Sequence, residues 1–496
     1  MHKAIGRRGY RAHEGTYDIM VATTGSDGIT KRDGWSSRSA FILAAIGSAV
    51  GLGNMWRFPA EAGANGGGAF VLFYILCVVL IGLPVLLSET LIGRHGQSAA
   101  PESVRRMAQE SGKSRHWDVL ASVGVFSAFL ILSFYCVVGG WVLYYVGAFV
   151  QDLFTTGLTG GAFQGRPAEE VEALLPGLFG NGTLMVGLHV AFLAVTFYFV
   201  ARGVSGGIEW VATWLMPAFF VLFVAITIYG AFTGAFAEAL SYLFTFEPSK
   251  LTGSVMLAAV GQAFFSLSLG VAGMMTYGAY VGRDVNLGST SGIIAGADTL
   301  VALLAGLCIF PIVFAAGLEP NAGPGLMFQS LPRAFQDMPV GSLVGMLFFI
   351  MVFFAALTSS VSLMEAPTAW VKDKFGIARP IAAAIVSFGA LVLGALAALS
   401  FNDLSEFQPL TGFALFEGQG MFDILDTLTS KILMPVGAIL TSVFVGWIAS
   451  KRLVDSENGL SGGLHVFWLF LVRWLCPIAL ALILLVGIFP EVFGME

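Results

Sequence analysis

The sequence predicts an all-α polytopic membrane protein of eleven transmembrane helices, arranged as a five-plus-five inverted repeat with helices 1 and 6 broken. Three observations predict it. The 496 residues are 56% hydrophobic and only 11% charged, with a mean hydropathy of +0.82, whereas a soluble domain carries about a quarter charged residues. Apolar runs near the ~20 residues needed to cross a bilayer recur along the chain, without the short alternating segments of a barrel. Two of these runs, five spans apart, are interrupted by glycine and polar residues. Halves with an odd number of spans enter the membrane in opposite senses.

The runs lie at about 40–61, 68–92, 118–150, 184–201, 207–231, 256–281, 290–317, 341–371, 380–400, 426–448 and 464–489. Residues 1–37 are polar and basic, lack the apolar core of a signal peptide, and are expected to form a cytoplasmic tail. Spans 1–5 make a first half, 38–235, and spans 6–10 a second, 236–450; residues 451–496 hold helix 11 and a short C-terminus. Span 1 carries "GSAVGLGN" at Gly47–Asn54 and span 6 carries "SLSLGVAG" at Ser266–Gly273. Nineteen of the chain's 25 lysines and arginines fall in segments on one side, among them Arg94, Arg105, Lys113, Lys372 and Lys451. The positive-inside rule makes that side, with the N-terminus, cytoplasmic and the C-terminus external. The expected location is the inner (plasma) membrane.

Several classes fall away. The net charge of -6 comes with no single basic patch in the sequence, so no nucleic acid partner is expected. Cys77, Cys136, Cys308 and Cys476 sit in apolar runs without CxxC spacing and read as small buried hydrophobes. The six histidines show no metal-ligand spacing, and no GxxxxGK[ST] motif points to ATP. An intramembrane enzyme would need a base beside its nucleophile. His189, Lys431 and His465 share no motif with Thr358, Ser359, Ser360 or any cysteine. No loop looks like a channel's filter.

A helix unwound at mid-membrane frees carbonyls and amides that hydrocarbon cannot satisfy, so it persists only where it lines a cavity or binds something. Freed carbonyls suit a hard monovalent cation. The amides at a half-helix's positive end suit a carboxylate. Carbonyls of a second broken span could accept an ammonium group, which completes a zwitterion.

"GSAVGLGNMWRFP" at Gly47–Pro59, "NGGGAF" at Asn65–Phe70, "GQAFFSLSLG" at Gly261–Gly270 and "FFAALTSS" at Phe353–Ser360 resemble the neurotransmitter:sodium symporter family, particularly its bacterial amino-acid transporters. The resemblance covers spans 1–10 and also implies the inverted repeat. It implies one sodium site from the Ala49 carbonyl, Asn54, Ser266 and Asp298. It implies a second from the carbonyls of Gly47, Val50 and Ala355 and the hydroxyls of Thr358 and Ser359. The substrate carboxylate would meet the amides of Leu52 and Gly53 and the hydroxyl of Tyr135. The ammonium would meet carbonyls around Ser48, Ala49, Ser266 and Ser268. Ile131, Val138, Phe265, Val271, Ser359, Ser360 and Leu363 would line the side-chain pocket. Arg57 and Asp426 would form the outer gate; Arg32 and Asp373, covered by Trp35, would form the inner one.

Gly51 stands where the family's amine transporters have aspartate, so the substrate must supply its own carboxylate beside sodium. Neutral, mostly hydrophobic L-amino acids follow. An acid within a span costs roughly 2.5–3.5 kcal/mol, which marks Asp298 as functional. Chloride-dependent relatives have asparagine there, so the fixed carboxylate implies transport with one or two sodium ions and no chloride. The chain is expected to be a monomer or weak dimer in the bilayer. The alternative from another class is a non-transporting sodium-dependent sensor or auxiliary subunit on the same fold.

Overall fold

Glycine spacing decides where the first helix stops. In the computed structural model, which describes residues 34–321, 323 and 325–493, span 1 is two helices, Arg38–Ala49 and Gly53–Ala64, bent by 48° at the break. Ser37 caps the first, accepting from Ala40 N–H at 3.1 Å, and Val50 is already extended, with ψ 107°. The second half starts on a π-turn, Gly53–Arg57. Pro59 falls in the first turn of the α-helix that follows, where its missing N–H costs little.

Span 6 is broken more deeply. Its first half, Gly253–Ser266, is capped by Thr252 and ends at Leu267; its second half is Gly273–Gly278. Between them Ser268 and Ala272 adopt φ of 51° and 55°, and Gly270 adopts 78°. Non-glycine residues in the left-handed region cost of order 1–3 kcal/mol and persist only where surroundings enforce them.

The other spans are continuous: Gly68–Gly96 (2), Arg115–Thr156 (3), Gly182–Ala201 (4), Val204–Phe232 (5), Leu287–Ala315 (7), Gly341–Phe375 (8), Arg379–Leu399 (9), Met421–Ile448 (10) and Gly462–Ile488 (11). Nine helices among the described residues are thus long and apolar enough to cross a membrane, and the bent span 1 makes a tenth. Span 6 is the eleventh, its halves too short to cross singly. Spans 3, 4, 8 and 9 pack on one another as a block; span 2 packs against both halves of span 6 and against span 7, which also meets span 1. Spans 10 and 11 pair at the flank. The breaks of spans 1 and 6 face each other between the block and this second group. All four cysteines are buried and free.

Candidate functional site

The break of span 1 turns bare peptide groups toward span 8. Ser359 Oγ donates toward the Val50 carbonyl at 3.1 Å and the Gly47 carbonyl at 3.3 Å, while Thr358 Oγ1 donates to the Ala355 carbonyl at 2.9 Å. All five residues of the second expected sodium set therefore meet at one place. Each hydroxyl hydrogen rests on a carbonyl that a cation would claim, so an arriving ion would have only to rotate two hydroxyls. Met216 of span 5 closes this place from the far side: a Cβ built on Gly47 would lie 3.2 Å from its sulfur and 3.2 Å from Thr358 Cβ.

A polar knot lies on the other side of the break. Asn54 Nδ2 donates to Asp298 Oδ1 at 2.8 Å, to the Asp298 carbonyl at 3.1 Å and to Ser266 Oγ at 3.0 Å. Ser266 Oγ in turn donates to Asp298 Oδ2 at 2.7 Å. Asn54 Oδ1 accepts from Gly51 N–H at 3.1 Å, so the same side chain holds the break open. Asp298 and Asn54 are fully buried. Gln262 Nε2 supports the knot by donating to the Gly53 carbonyl at 2.9 Å.

Between these two places is a small cavity walled by Ala49, Gly51, Leu52, Gly53, Ile131, Tyr135, Phe265, Ser266, Ser268, Val271, Ser359, Leu363 and Met434. Leu52 N–H donates to Tyr135 Oη at 3.2 Å. Eleven of these thirteen residues belong to the expected set; Gly51 and Met434 were not assigned to the pocket wall. Nothing in the sequence around Met434 marks it, because it arrives from span 10 only once Gly270 allows close approach. A Cβ on Gly270 would collide with the Met434 carbonyl.

Three expected residues do not wall the cavity. Ser48 Oγ is spent on Ser362 Oγ at 2.8 Å. Ser360 Oγ donates to the Leu357 carbonyl at 3.0 Å and pairs with Thr196 Oγ1 at 2.9 Å. Val138, one turn beyond Tyr135, lines a larger vestibule of about 310 Å³ instead, with Trp56, Arg57, Phe134, Phe265, Phe422 and Asp426. Vestibule and cavity share Leu52, Tyr135 and Phe265, so one leads into the other.

Arg57 and Asp426, the residues expected to gate the pocket, both line the vestibule. Arg57 pairs with Glu61, one turn along its own helix, at 3.7 Å, and lies 4.4 Å above the Phe265 ring. It makes no ion pair with Asp426 among the described residues. The carboxylate within reach of the guanidinium is that of Glu61 on its own helix. On the opposite side Trp35 donates to the Tyr277 carbonyl at 3.2 Å and packs edge-on against Tyr277 and Tyr280. Tyr280 Oη donates to Glu365 Oε1 at 2.8 Å, and Glu365 also holds Arg379. Arg32 lies outside the described residues. Asp373 accepts from Ala99 N–H at 3.1 Å.

Glu89 of span 2 supports the break of span 6. Its Oε1 accepts the Gly270 N–H at 2.7 Å and so satisfies an amide freed by the break of span 6, while its Oε2 has no partner. Glu89→Ala is expected to strand that amide at a cost of about 1–3 kcal/mol. Glu89→Gln keeps an accepting oxygen. Thermal unfolding of the two variants in detergent should show the alanine protein melting well below wild type and the glutamine protein close to it.

Two broken helices, bare carbonyls, a buried carboxylate knot and a vestibule on one side define a secondary transporter. The sodium:neurotransmitter symporter family matches the chain over residues 32–158 and 169–492, and the chain belongs to that family. It is 36% identical over 455 residues to YhdH of Bacillus subtilis (strain 168), described as an uncharacterized sodium-dependent transporter, covering 91% of this chain and 96% of that one. It is 27% identical over 411 residues, 70% of this chain and 61% of the relative, to the sodium-dependent nutrient amino acid transporter 1 of Drosophila grimshawi. The crystal structure of MhsT in complex with L-phenylalanine superposes with a TM-score of 0.82 at 40% identity, covering 92% of this chain and all of MhsT. The protein is a multi-pass membrane transporter dependent on sodium, from a family of transporters rather than enzymes.

Proposed function

We propose that the chain is a symporter of neutral, mostly hydrophobic L-amino acids, driven by one or two sodium ions and independent of chloride, with its N-terminus cytoplasmic. The single observation that carries this reading is the Asp298–Asn54–Ser266 knot set against a cavity that the backbone of Leu52 and Gly53 lines, with the Leu52 amide held only by Tyr135 Oη. Sodium at the knot would replace hydrogen bonds with oxygen contacts from Asn54, Ser266 and Asp298. The amino acid's carboxylate would then complete the shell, displacing Tyr135 Oη from the Leu52 amide. This links the two ligands physically: each supplies charge that the other needs. Asp298 keeps the sodium-loaded site near neutrality without a mobile anion. The wall of Ile131, Phe265, Val271, Leu363 and Met434 is apolar and carries no charge to pair an ionised side chain. MhsT, solved with L-phenylalanine, supports the same substrate class.

The energetics suit such coupling. A sodium ion moving inward at about 100 mV gains about 2.3 kcal/mol, enough on its own to concentrate a neutral solute roughly fifty-fold. Proteoliposomes carrying the protein should accumulate labelled neutral L-amino acids when sodium is imposed outside, equally in chloride and gluconate. Accumulation without a sodium gradient, or only with chloride, would refute the reading. Amino-acid binding without any transport would identify a sensor instead. Tyr135→Phe removes the hydroxyl that would cap the carboxylate, a bond to a charged group worth about 1.5–3 kcal/mol. The half-saturating amino-acid concentration should rise roughly tenfold to a hundredfold, which an equilibrium binding titration reads.

A further inference from the structure

Most charged side chains on the Trp35 side of the membrane are already engaged. Arg94 pairs with Glu457 at 2.7 Å, and Arg105 pairs with Asp118 at 2.6 Å and Glu102 at 2.8 Å. Arg283 is exposed and in no ion pair among the described residues, and so are four cations that two neighbouring turns bring together. Lys113 and Arg115 follow the short helix Ala100–Glu110 between spans 2 and 3, and Lys451 and Arg452 open the helix Lys451–Glu457 between spans 10 and 11. All four are exposed, and none forms an ion pair among the described residues.

The two pairs are far apart in sequence but joined in space. Ser450 N–H donates to Ser111 Oγ at 2.8 Å, which sets Lys451 and Arg452 beside the turn that carries Lys113. That turn is itself closed by Lys113 N–H on the Ala108 carbonyl at 2.9 Å. Two acids lie nearby, Glu110 turned to His95 at 2.9 Å and Asp455 to His465 at 3.1 Å, so the four cations outnumber them and the patch keeps a net positive charge. Burial would raise the Glu457 carboxyl, but hydrogen bonds from His95 and Arg94 hold it below its usual range. It therefore stays an anion committed to those two partners.

Exposed aromatic and apolar side chains adjoin the patch. Trp117 packs on Phe444 with ring centroids 5.8 Å apart, and Trp447, three residues before Ser450, is 50% exposed and edge-on to Trp474 at 4.8 Å. Val119 and Phe126 of span 3 are exposed beside it. Tryptophan marks the headgroup level of a membrane helix, and basic clusters there attract anionic headgroups. We propose that Lys113, Arg115, Lys451 and Arg452 form a docking site for the phosphate headgroup of an anionic phospholipid, its acyl chains lying along the exposed faces of spans 3 and 10. Charge complementarity selects the ligand: a patch of net positive charge, its four cations in no ion pair among the described residues, faces a phosphodiester, and the apolar border favours a lipid over a free ion. A bound headgroup would clamp the loop between spans 2 and 3 to the loop between spans 10 and 11, across the Ser450–Ser111 contact.

The test is thermal unfolding of the full chain in mixed micelles with added phosphatidylglycerol, phosphatidylcholine or inorganic phosphate. Wild type should be raised in midpoint by phosphatidylglycerol only. The variant K113Q/R115Q/K451Q/R452Q should lose at least half of that rise while keeping its lipid-free stabilisation by sodium, and K113R/K451R should keep the rise. If the fourfold variant does not fold, K113Q/R115Q and K451Q/R452Q made separately should each lose part of it. An undiminished rise in the glutamine variants overturns the proposal, as does an equal rise with phosphatidylcholine or inorganic phosphate, or no rise in wild type. None of these outcomes depends on whether the protein transports amino acids.

Discussion

Asp298→Asn is expected to raise the sodium concentration for half-maximal uptake by about a hundredfold, a loss of about 2.7 kcal/mol. The buried carboxylate receives two hydrogen bonds, from Asn54 Nδ2 at 2.8 Å and Ser266 Oγ at 2.7 Å. An amide in its place removes the negative charge that a cation would meet. It also turns one of the two oxygens into an N–H donor, so the knot survives only if that nitrogen faces Ser266 and the hydroxyl rotates to accept from it. If the carboxylate stands in for an anion, added chloride should recover part of the lost uptake. Tyr74 Oη lies 3.5 Å from Ser266 Oγ and Gln262 reaches the Gly53 carbonyl, so donors for a halide are already grouped there. Uptake titrated against sodium, in chloride and in gluconate, reads both effects. Wild-type sodium dependence in the variant would remove Asp298 from the sodium site.

Much of this arrangement was legible in the chain because membrane helices obey few rules, and the exceptions to them are conspicuous. Gly47, Gly51 and Gly53 beside Asn54, inside an apolar run, can serve little purpose in a continuous helix, and the break of span 1 lies at Val50–Leu52. Asp298 was conspicuous for the same reason. Contacts made across the bundle were not legible. Ser48 and Ser360 look like pocket residues by position, yet Ser362 and Thr196 take their hydroxyls, because a buried hydroxyl bonds to whichever partner packing brings nearest. The left-handed Ser268 and Ala272 were invisible, since neither residue type favours that conformation. Only tertiary context such as the Glu89 bond to Gly270 fixes the backbone there. The partner of Arg57 was not legible either: Glu61, one turn along the same helix, lies within reach of the guanidinium, while Asp426 stands across the vestibule.

Gly51→Ala should abolish amino-acid binding more thoroughly than a single methyl group suggests. A Cβ built there would collide with Ser359 Oγ and stand 2.9 Å from Tyr135 Oη. Both neighbours are committed: Ser359 bridges to the Val50 carbonyl, and Tyr135 accepts the Leu52 amide. Neither can retreat without surrendering a group assigned here to sodium or to the carboxylate. Overpacking costs roughly 1–3 kcal/mol, and a lost bond to a charged ligand about 1.5–3 kcal/mol more. Together they predict an affinity loss of at least about a hundredfold. Gly261→Ala supplies the control. Gly261 lies within the helix Gly253–Ser266 and a Cβ there meets nothing within 4 Å. Alanine should therefore be tolerated, and even gain the roughly 1 kcal/mol by which it outranks glycine in a helix. Titration calorimetry or scintillation proximity with a neutral L-amino acid separates the two: binding lost in the Gly51 variant and kept in the Gly261 variant. Retained affinity in Gly51→Ala would mean that the substrate sits away from the break in span 1, in the vestibule beneath Arg57.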